Sequence, residues 1–169
     1  ELRAMLDFAM DYGSPLAIRY PRGEAYRGLK EFRQPISYGV GEMLYEEEDI
    51  ALLAVGSMVS TGEHVRQKLK AEGYRCSLAN GRFVKPFDRK MVSRLAERHR
   101  LIVTMEENVL QGGYGLAVTA YIHAHFPHIK VLNVALPDAY VEHGNVSILR
   151  EGLGIDSDSI IRSMKAGGW

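Results

Sequence analysis

The stretch DIALLAVGSM, residues 49–58, decides the fold of this chain. After one aspartate it is a short continuous apolar run, which predicts a strand buried on both faces of a parallel sheet. A helix is predicted next, in STGEHVRQKLKAEG at residues 60–73. Ser60 or Thr61 can cap its first turn, and Gly73 can end its last. A buried strand followed by a helix is the repeating unit of an α/β domain.

The same alternation continues towards the C-terminus. Further strands are predicted within residues 38–47 (at a sheet edge), 74–84, 99–107 and 128–137. Further helices are predicted within residues 88–99 (capped by Asp88), 112–126, 145–153 and 156–167. Right-handed crossovers between such units predict an α/β fold, with a mainly parallel sheet flanked by helices.

A different pattern precedes this repeat. In ELRAMLDFAMDYG, residues 1–13, the apolar positions have helical spacing, and LAIRY, residues 16–20, predicts a short strand. Residues 23–37 are polar and without a sustained period, which is typical of an interdomain linker. The chain is therefore predicted to contain a helix-strand remnant of a preceding domain at 1–22, the linker, and an α/β domain at 38–169.

Composition excludes several classes of protein. Lys plus Arg and Asp plus Glu number 21 each, so no overall field draws the chain to nucleic acid or to an anionic membrane. The apolar runs are too short to span a bilayer. Cys76 is the single cysteine, expected as buried filler, and it fits a reducing compartment. We therefore expect a soluble, cytoplasmic protein, and a piece of a longer one because the chain starts at Glu1.

Ligands of open α/β sheets lie beyond the carboxyl ends of the strands, so the residues there are the first candidates. Gly113 and Gly115 follow a predicted strand and resemble a phosphate cradle at a helix start. Val118 stands where a dinucleotide fingerprint needs a third small residue, and Glu106 and Glu107 stand where a phosphate disfavours carboxylates. We expect the glycines to serve a tight turn, and the glutamates to bind backbone donors or a partner chain.

Two histidine-containing segments are weaker candidates. His123, His125 and His128 have poor metal-ligand spacing on a helix, and we expect a solvated helix end there. Asp138 and His143 share a loop and could form an ordinary hydrogen-bonded pair, but no nucleophile lies near them in sequence. Neither segment predicts catalysis.

The fourth candidate is the arginine pair of AIRYPRG, residues 17–23. Arg19 leaves an apolar strand at its predicted carboxyl end, and Arg22 follows the proline. An ion pair between domains would satisfy both guanidinium groups. A guanidinium fork also matches a phosphate group bidentately. On the residues alone both alternatives stay open.

Four stretches occur together in one order: AIRYPRG (17–23), NGRFVKPFD (80–88), TMEENVLQGGYG (104–115) and LNVALPDAYVEHG (132–144). In that order the chain resembles the C-terminal part of the 1-deoxy-D-xylulose-5-phosphate synthase family, in the thiamine-diphosphate transketolase superfamily. The resemblance covers essentially the whole chain. The third stretch is shared more loosely with β subunits of 2-oxo acid dehydrogenases.

The resemblance implies an architecture and an activity. Residues 1–22 are similar to the end of a central, pyrimidine-binding domain, and residues 38–169 to a transketolase-type C-terminal domain. Members use thiamine diphosphate and Mg²⁺ to decarboxylate pyruvate and join the two-carbon unit to glyceraldehyde 3-phosphate. The product feeds isoprenoid and thiamine synthesis. The family implies a homodimer.

The resemblance assigns few site residues to this chain. It implies that Arg19 binds the phosphate of the aldehyde acceptor, and that Arg22 is a second substrate-binding candidate or a structural residue. No Gly-Asp-Gly motif occurs in this sequence, so we expect no catalytic, cofactor-binding or metal residue, and no activity of the segment alone.

The alternative is the C-terminal domain of a 2-oxo acid dehydrogenase β subunit, or a non-catalytic α/β interaction module. AIRYPRG favours the synthase, because an enzyme acting on an unphosphorylated acid does not need a phosphate-binding arginine.

Overall fold

The computed structural model describes residues 1–21, 26–32 and 34–168. Its elements, in chain order, are α1 (Leu2–Asp11), β1 (Glu42–Tyr45), β2 (Asp49–Ala54), α2 (Met58–Ala71), β3 (Cys76–Asn80), α3 (Arg89–Arg98), β4 (His99–Val109), α4 (Tyr114–His125), β5 (Lys130–Leu136), α5 (Val146–Gly152) and α6 (Ser157–Ala166). No helix in the described ranges has the length and apolar content needed to cross a membrane.

The five strands form one sheet in the order β1-β3-β2-β4-β5. Strands β2, β3, β4 and β5 pair in parallel, and β1 pairs antiparallel with β3 at the edge. The predicted mainly parallel α/β fold is therefore confirmed, as is the edge strand. Strand β2, which lies within the stretch that predicted this architecture, is at the centre of the sheet.

Alternating side chains of β2 divide the core into two layers. Leu52 faces the layer that holds α2 and α6, whereas Leu53 faces the layer that holds α3 and α4. Both leucines are fully buried. Burying a side chain of this size stabilises the fold by about 1.5–3 kcal/mol, which explains why this strand must be apolar on both faces.

The helix ends follow the predictions only in part. Asp88 caps α3, because its carboxylate accepts a hydrogen bond from the Met91 amide at 2.9 Å. Helix α2 instead begins at Met58, so the predicted capping by Ser60 or Thr61 is wrong. The Ser60 hydroxyl lies inside the first turn and donates to the Ser57 carbonyl oxygen at 2.8 Å. Gly73 follows the end of α2 with a φ of 93°, as its stop role predicts.

The predicted strand over residues 16–20 is also wrong. Helix α1 forms as expected, but residues 15–21 have no regular secondary structure. A strand exists only by hydrogen bonding to a neighbouring strand, and no described backbone group pairs with residues 16–20. The assignment of residues 1–22 to a separate domain stays a prediction.

Part of the predicted linker packs on the sheet domain. Leu29 and Phe32 contact the core layer of α2 and α6, and the Phe32 ring lies 4.9 Å from the Tyr45 ring, centroid to centroid. The Gln34 amide donates to Glu42 Oε1 at 2.7 Å. These contacts hold the described part of the linker against β1.

Candidate functional site

Arg19 lies in the irregular segment that follows α1. Its side chain and those of Tyr20 and Pro21 are exposed. No hydrogen bond or ion pair joins the Arg19 guanidinium to any residue that the structure describes. Arg22, the second arginine of the motif, lies outside the described residues. The described part of the chain therefore supplies no counter-charge to this guanidinium.

The turn between β4 and α4 is organised by Glu106. This carboxylate is 3% exposed and accepts hydrogen bonds from the backbone amides of Tyr114 (3.0 Å) and Gly115 (2.7 Å). A Cβ on Gly113 would lie 2.6 Å from Glu106 Oε1, and one on Gly115 would lie 2.5 Å from Thr104 Oγ1. Glycine at both positions is what lets the helix start approach the carboxylate so closely.

This geometry decides between the two interpretations of the glycine-rich turn. Amides at the start of a helix attract anions, and here a carboxylate of the chain itself already accepts from two of them. The prediction that a glutamate binds backbone donors is confirmed for Glu106. A dinucleotide phosphate does not fit this turn.

Glu107 has a different role, which the sequence did not predict. Its carboxylate accepts from the Ser57 hydroxyl at the start of α2 and pairs with Arg150 of α5, with a distance of 2.7 Å from Arg150 Nε to Glu107 Oε1. All three side chains are partly exposed. Glu107 therefore ties α2 and α5 to the carboxyl end of β4, within this chain.

A cavity of about 440 Å³ opens beside this edge of the sheet. Its polar lining consists of Gln111, Asn133 and Asp138, and among the described residues no arginine, lysine or histidine contributes to it. The Asn133 side-chain oxygen already accepts from Thr104 (2.7 Å) and Thr119 (3.0 Å). With a carboxylate and no cation in its lining, this cavity does not suit a sugar phosphate.

The two histidine-containing segments lie at the surface. His123 and His125 end α4 and are exposed, as is His128. Asp138 and His143 are both exposed and, within the described ranges, no hydrogen bond joins them. The predicted pair is therefore not formed.

Cys76 is the buried filler that the sequence predicted. It lies in β3 with no exposed surface, and burial raises the pKa of its thiol to about 12. A thiol held in this state is a poor nucleophile at neutral pH.

The sequence did not predict a cluster around Arg82, just after β3. The Arg82 guanidinium pairs with Glu42 of β1 at 2.7 Å, and both side chains are 4% exposed. Arg82 also pairs with Glu1 at 2.9 Å. Arg82 lies within NGRFVKPFD, and its φ of 48° marks a tight turn there. Its partners are distant in sequence, which is why no local pattern revealed them.

Residues 39–160 match the family model for the transketolase C-terminal domain. The chain belongs to this family. Within the transketolase family, solved structures also match: a split-gene transketolase, solved as an inactive β4 tetramer, has a TM-score of 0.74 and 26% identity over 79% of this chain and 43% of its own. Transketolase from Campylobacter jejuni has a TM-score of 0.54 and 18% identity, over 76% of this chain and 18% of its own. The second likeness shows the fold alone.

Two curated relatives of this transketolase-type chain are described as 1-deoxy-D-xylulose-5-phosphate synthases. The 1-deoxy-D-xylulose-5-phosphate synthase of Lachnoclostridium phytofermentans is 44% identical over 95% of this chain and 26% of its own length. That of Aquifex aeolicus is 39% identical over 98% of this chain and 26% of its own. The resemblance to the C-terminal part of this synthase is confirmed. The chain spans about a quarter of the length of these relatives.

Proposed function

We propose that this chain is the C-terminal part of a 1-deoxy-D-xylulose-5-phosphate synthase, which condenses pyruvate with glyceraldehyde 3-phosphate with loss of CO₂. The observation that carries the proposal is the similarity to synthases over 95–98% of the chain, because it includes the segment of Arg19 as well as the α/β domain. The product would serve isoprenoid and thiamine synthesis.

Within this enzyme, Arg19 anchors the phosphate of the acceptor. Its guanidinium is exposed and has no partner in the described part of the chain, so it can present two parallel donors to a phosphate. Arg22 follows in the same motif and is a second candidate for this role. The rest of the segment acts as a scaffold that holds the anchor.

The described residues of this chain offer no site that fits thiamine diphosphate and Mg²⁺. No three His, Cys, Asp or Glu side chains gather into a metal site among the described residues. The amides at the start of α4, which could have bound a diphosphate, bind Glu106 instead. In this proposal the cofactor, its metal and the catalytic side chains belong to parts of the enzyme outside this chain.

A scaffold role also includes assembly. The split-gene transketolase that matches this fold was solved as an inactive β4 tetramer. By analogy, we expect this segment to be inactive alone and to contribute to a homodimer of the complete synthase.

The proposal is tested by Arg19→Ala in the complete enzyme. Each charge-assisted hydrogen bond to a phosphate is worth about 1.5–3 kcal/mol, so the Michaelis constant for glyceraldehyde 3-phosphate should rise about 10- to 100-fold. The constant for pyruvate should change much less. Steady-state kinetics with each substrate varied in turn measures both.

Arg3→Ala is the matched control. Arg3 is an exposed arginine on α1 with no partner among the described residues, so its removal changes the charge equally without touching the anchor. Identical kinetics for Arg19→Ala and the parent enzyme would rule out phosphate binding by Arg19.

A further inference from the structure

Arg82 is a buried cation that serves more than one partner. It stands in the left-handed turn after β3, with only 4% of its side chain exposed. Its Nη2 lies 2.7 Å from Glu42 Oε2, and Glu42 is buried to the same extent. A buried charge needs a paired counter-charge, so this ion pair fixes the guanidinium on the edge strand β1.

The remaining donors of the guanidinium reach two other segments. Arg82 Nε donates to Glu1 Oε1 at 2.9 Å, and Nη2 donates to the Gln34 carbonyl oxygen at 3.1 Å. Asn80 adds hydrogen bonds from its side-chain nitrogen to both Glu1 oxygens, at 2.9 and 3.0 Å. Glu1 is the first residue before α1 and does not cap its own helix. Its carboxylate binds the end of β3 instead.

Aromatic rings join the other end of α1 to the same turn. The Phe8 ring meets Phe83, the residue after Arg82, edge to face at a centroid distance of 5.9 Å. Tyr12 stacks on Tyr38 at 4.9 Å, and Tyr38 meets Phe83 at 6.0 Å. Hydrogen bonds from Arg82 and Asn80 thus hold the start of α1. The rings of Phe83 and Tyr38 hold its end.

The geometry points to Arg82 as a positioning residue: with Asn80 and Phe83 it clamps α1 on the sheet domain, and so sets the place of Arg19. This inference rests on the proposed function of Arg19. Residues 15–21 have no regular secondary structure that would position them, so their position depends on where α1 ends. Arg82 does not contact the substrate; it acts through the helix that precedes the anchor.

The clamp is tested with Glu1→Asp in the complete enzyme. Aspartate keeps the negative charge, but it is one methylene shorter and loses its reach to Arg82 and Asn80. Loss of these charge-assisted bonds should speed hydrogen exchange of the α1 amides about tenfold or more. Asp7→Glu changes another exposed acid of α1 by one methylene and should leave this exchange unchanged.

Arg82→Lys is the second variant. Lysine can keep the charge pair with Glu42, which protects the fold, but it lacks the planar fork that also reaches Glu1 and Gln34. We expect the same faster exchange in α1. In both variants the Michaelis constant for glyceraldehyde 3-phosphate should rise about tenfold, with kcat and the constant for pyruvate nearly unchanged.

Unchanged exchange of α1 in both variants would overturn the clamp. Faster exchange with an unchanged constant for the phosphorylated acceptor would overturn the positioning role. These outcomes differ from failure of the proposed function itself, which would appear as normal kinetics of Arg19→Ala, whatever α1 does in the clamp variants.

Discussion

Two adjacent glutamates at the end of β4 differ in what they stabilise. Glu106 is buried on two backbone amides, whereas Glu107 is partly exposed and pairs with Arg150 and Ser57. Both lie near the carboxyl end of the same strand. Adjacent residues of a strand point to opposite faces, so Glu106 meets the start of α4, whose approach Gly113 and Gly115 permit, whereas Glu107 meets Ser57 and Arg150.

This difference predicts unequal costs for the same substitution. Glu106→Gln removes the charge from two buried hydrogen bonds and places an amide donor against backbone donors, so it should lower the free energy of unfolding by about 2–3 kcal/mol. Glu107→Gln weakens a partly exposed ion pair and should cost about 1 kcal/mol or less. Urea denaturation of the two variants compares them directly, and equal losses would contradict the assigned roles.

At the scale of elements, α3 shows what a single cap contributes. One Asp88 oxygen accepts from the Met91 amide, and the other accepts from the Gly41 amide at 3.0 Å, just before β1. Asp88 therefore begins the helix and also holds the edge strand.

Asp88→Ala should lower the free energy of unfolding by about 1–2 kcal/mol, because it removes both hydrogen bonds. Asp88→Asn keeps one acceptor oxygen and should recover roughly half of that loss. Thermal unfolding followed by circular dichroism would measure the series. If Asp88→Asn were as damaging as Asp88→Ala, the charge rather than the cap would be what matters.

The elements also show which kinds of structure a single sequence predicts. The apolar run of β2 predicts a strand because a short continuous run of this kind is typical of a strand buried on both faces. The strand at residues 16–20 was predicted on a similar apolar run, but a strand depends on its partner, and none is described here. The predicted start of α2 is misplaced because Ser60 and Thr61 are acceptable cap residues by type, whereas the helix already begins at the buried Met58.

At the candidate site, the sequence predicts the glycine-rich turn but not the contacts that hold α1 on the sheet domain. The role of Gly113 and Gly115 follows from local geometry that any glycine-rich helix start shares. The contacts of Arg82 with Glu1 and Glu42 join residues 81 and 40 positions apart, respectively, so no periodicity or spacing marks them. Arg19 is a candidate from its place in AIRYPRG, its phosphate-binding role is implied by the resemblance, and the structure adds that its side chain is exposed.

At the scale of the whole molecule, an α/β domain is preceded by α1 and by the irregular segment that contains Arg19. The sheet and its two helical layers bury the core, and residues 1–21 contact this domain through Glu1, Phe8 and Tyr12. We propose that this arrangement presents Arg19 to the phosphate of an acceptor, while the chemistry takes place on groups outside this chain.

The most direct measurement compares two acceptors, glyceraldehyde 3-phosphate and unphosphorylated glyceraldehyde, in the complete enzyme and in its Arg19→Ala variant. If Arg19 binds the phosphate, the variant should lose about 10- to 100-fold in kcat/KM with the phosphorylated acceptor and almost nothing with the other. Equal losses with both acceptors would contradict the account, because Arg19 would then support the fold or the chemical step instead of the phosphate.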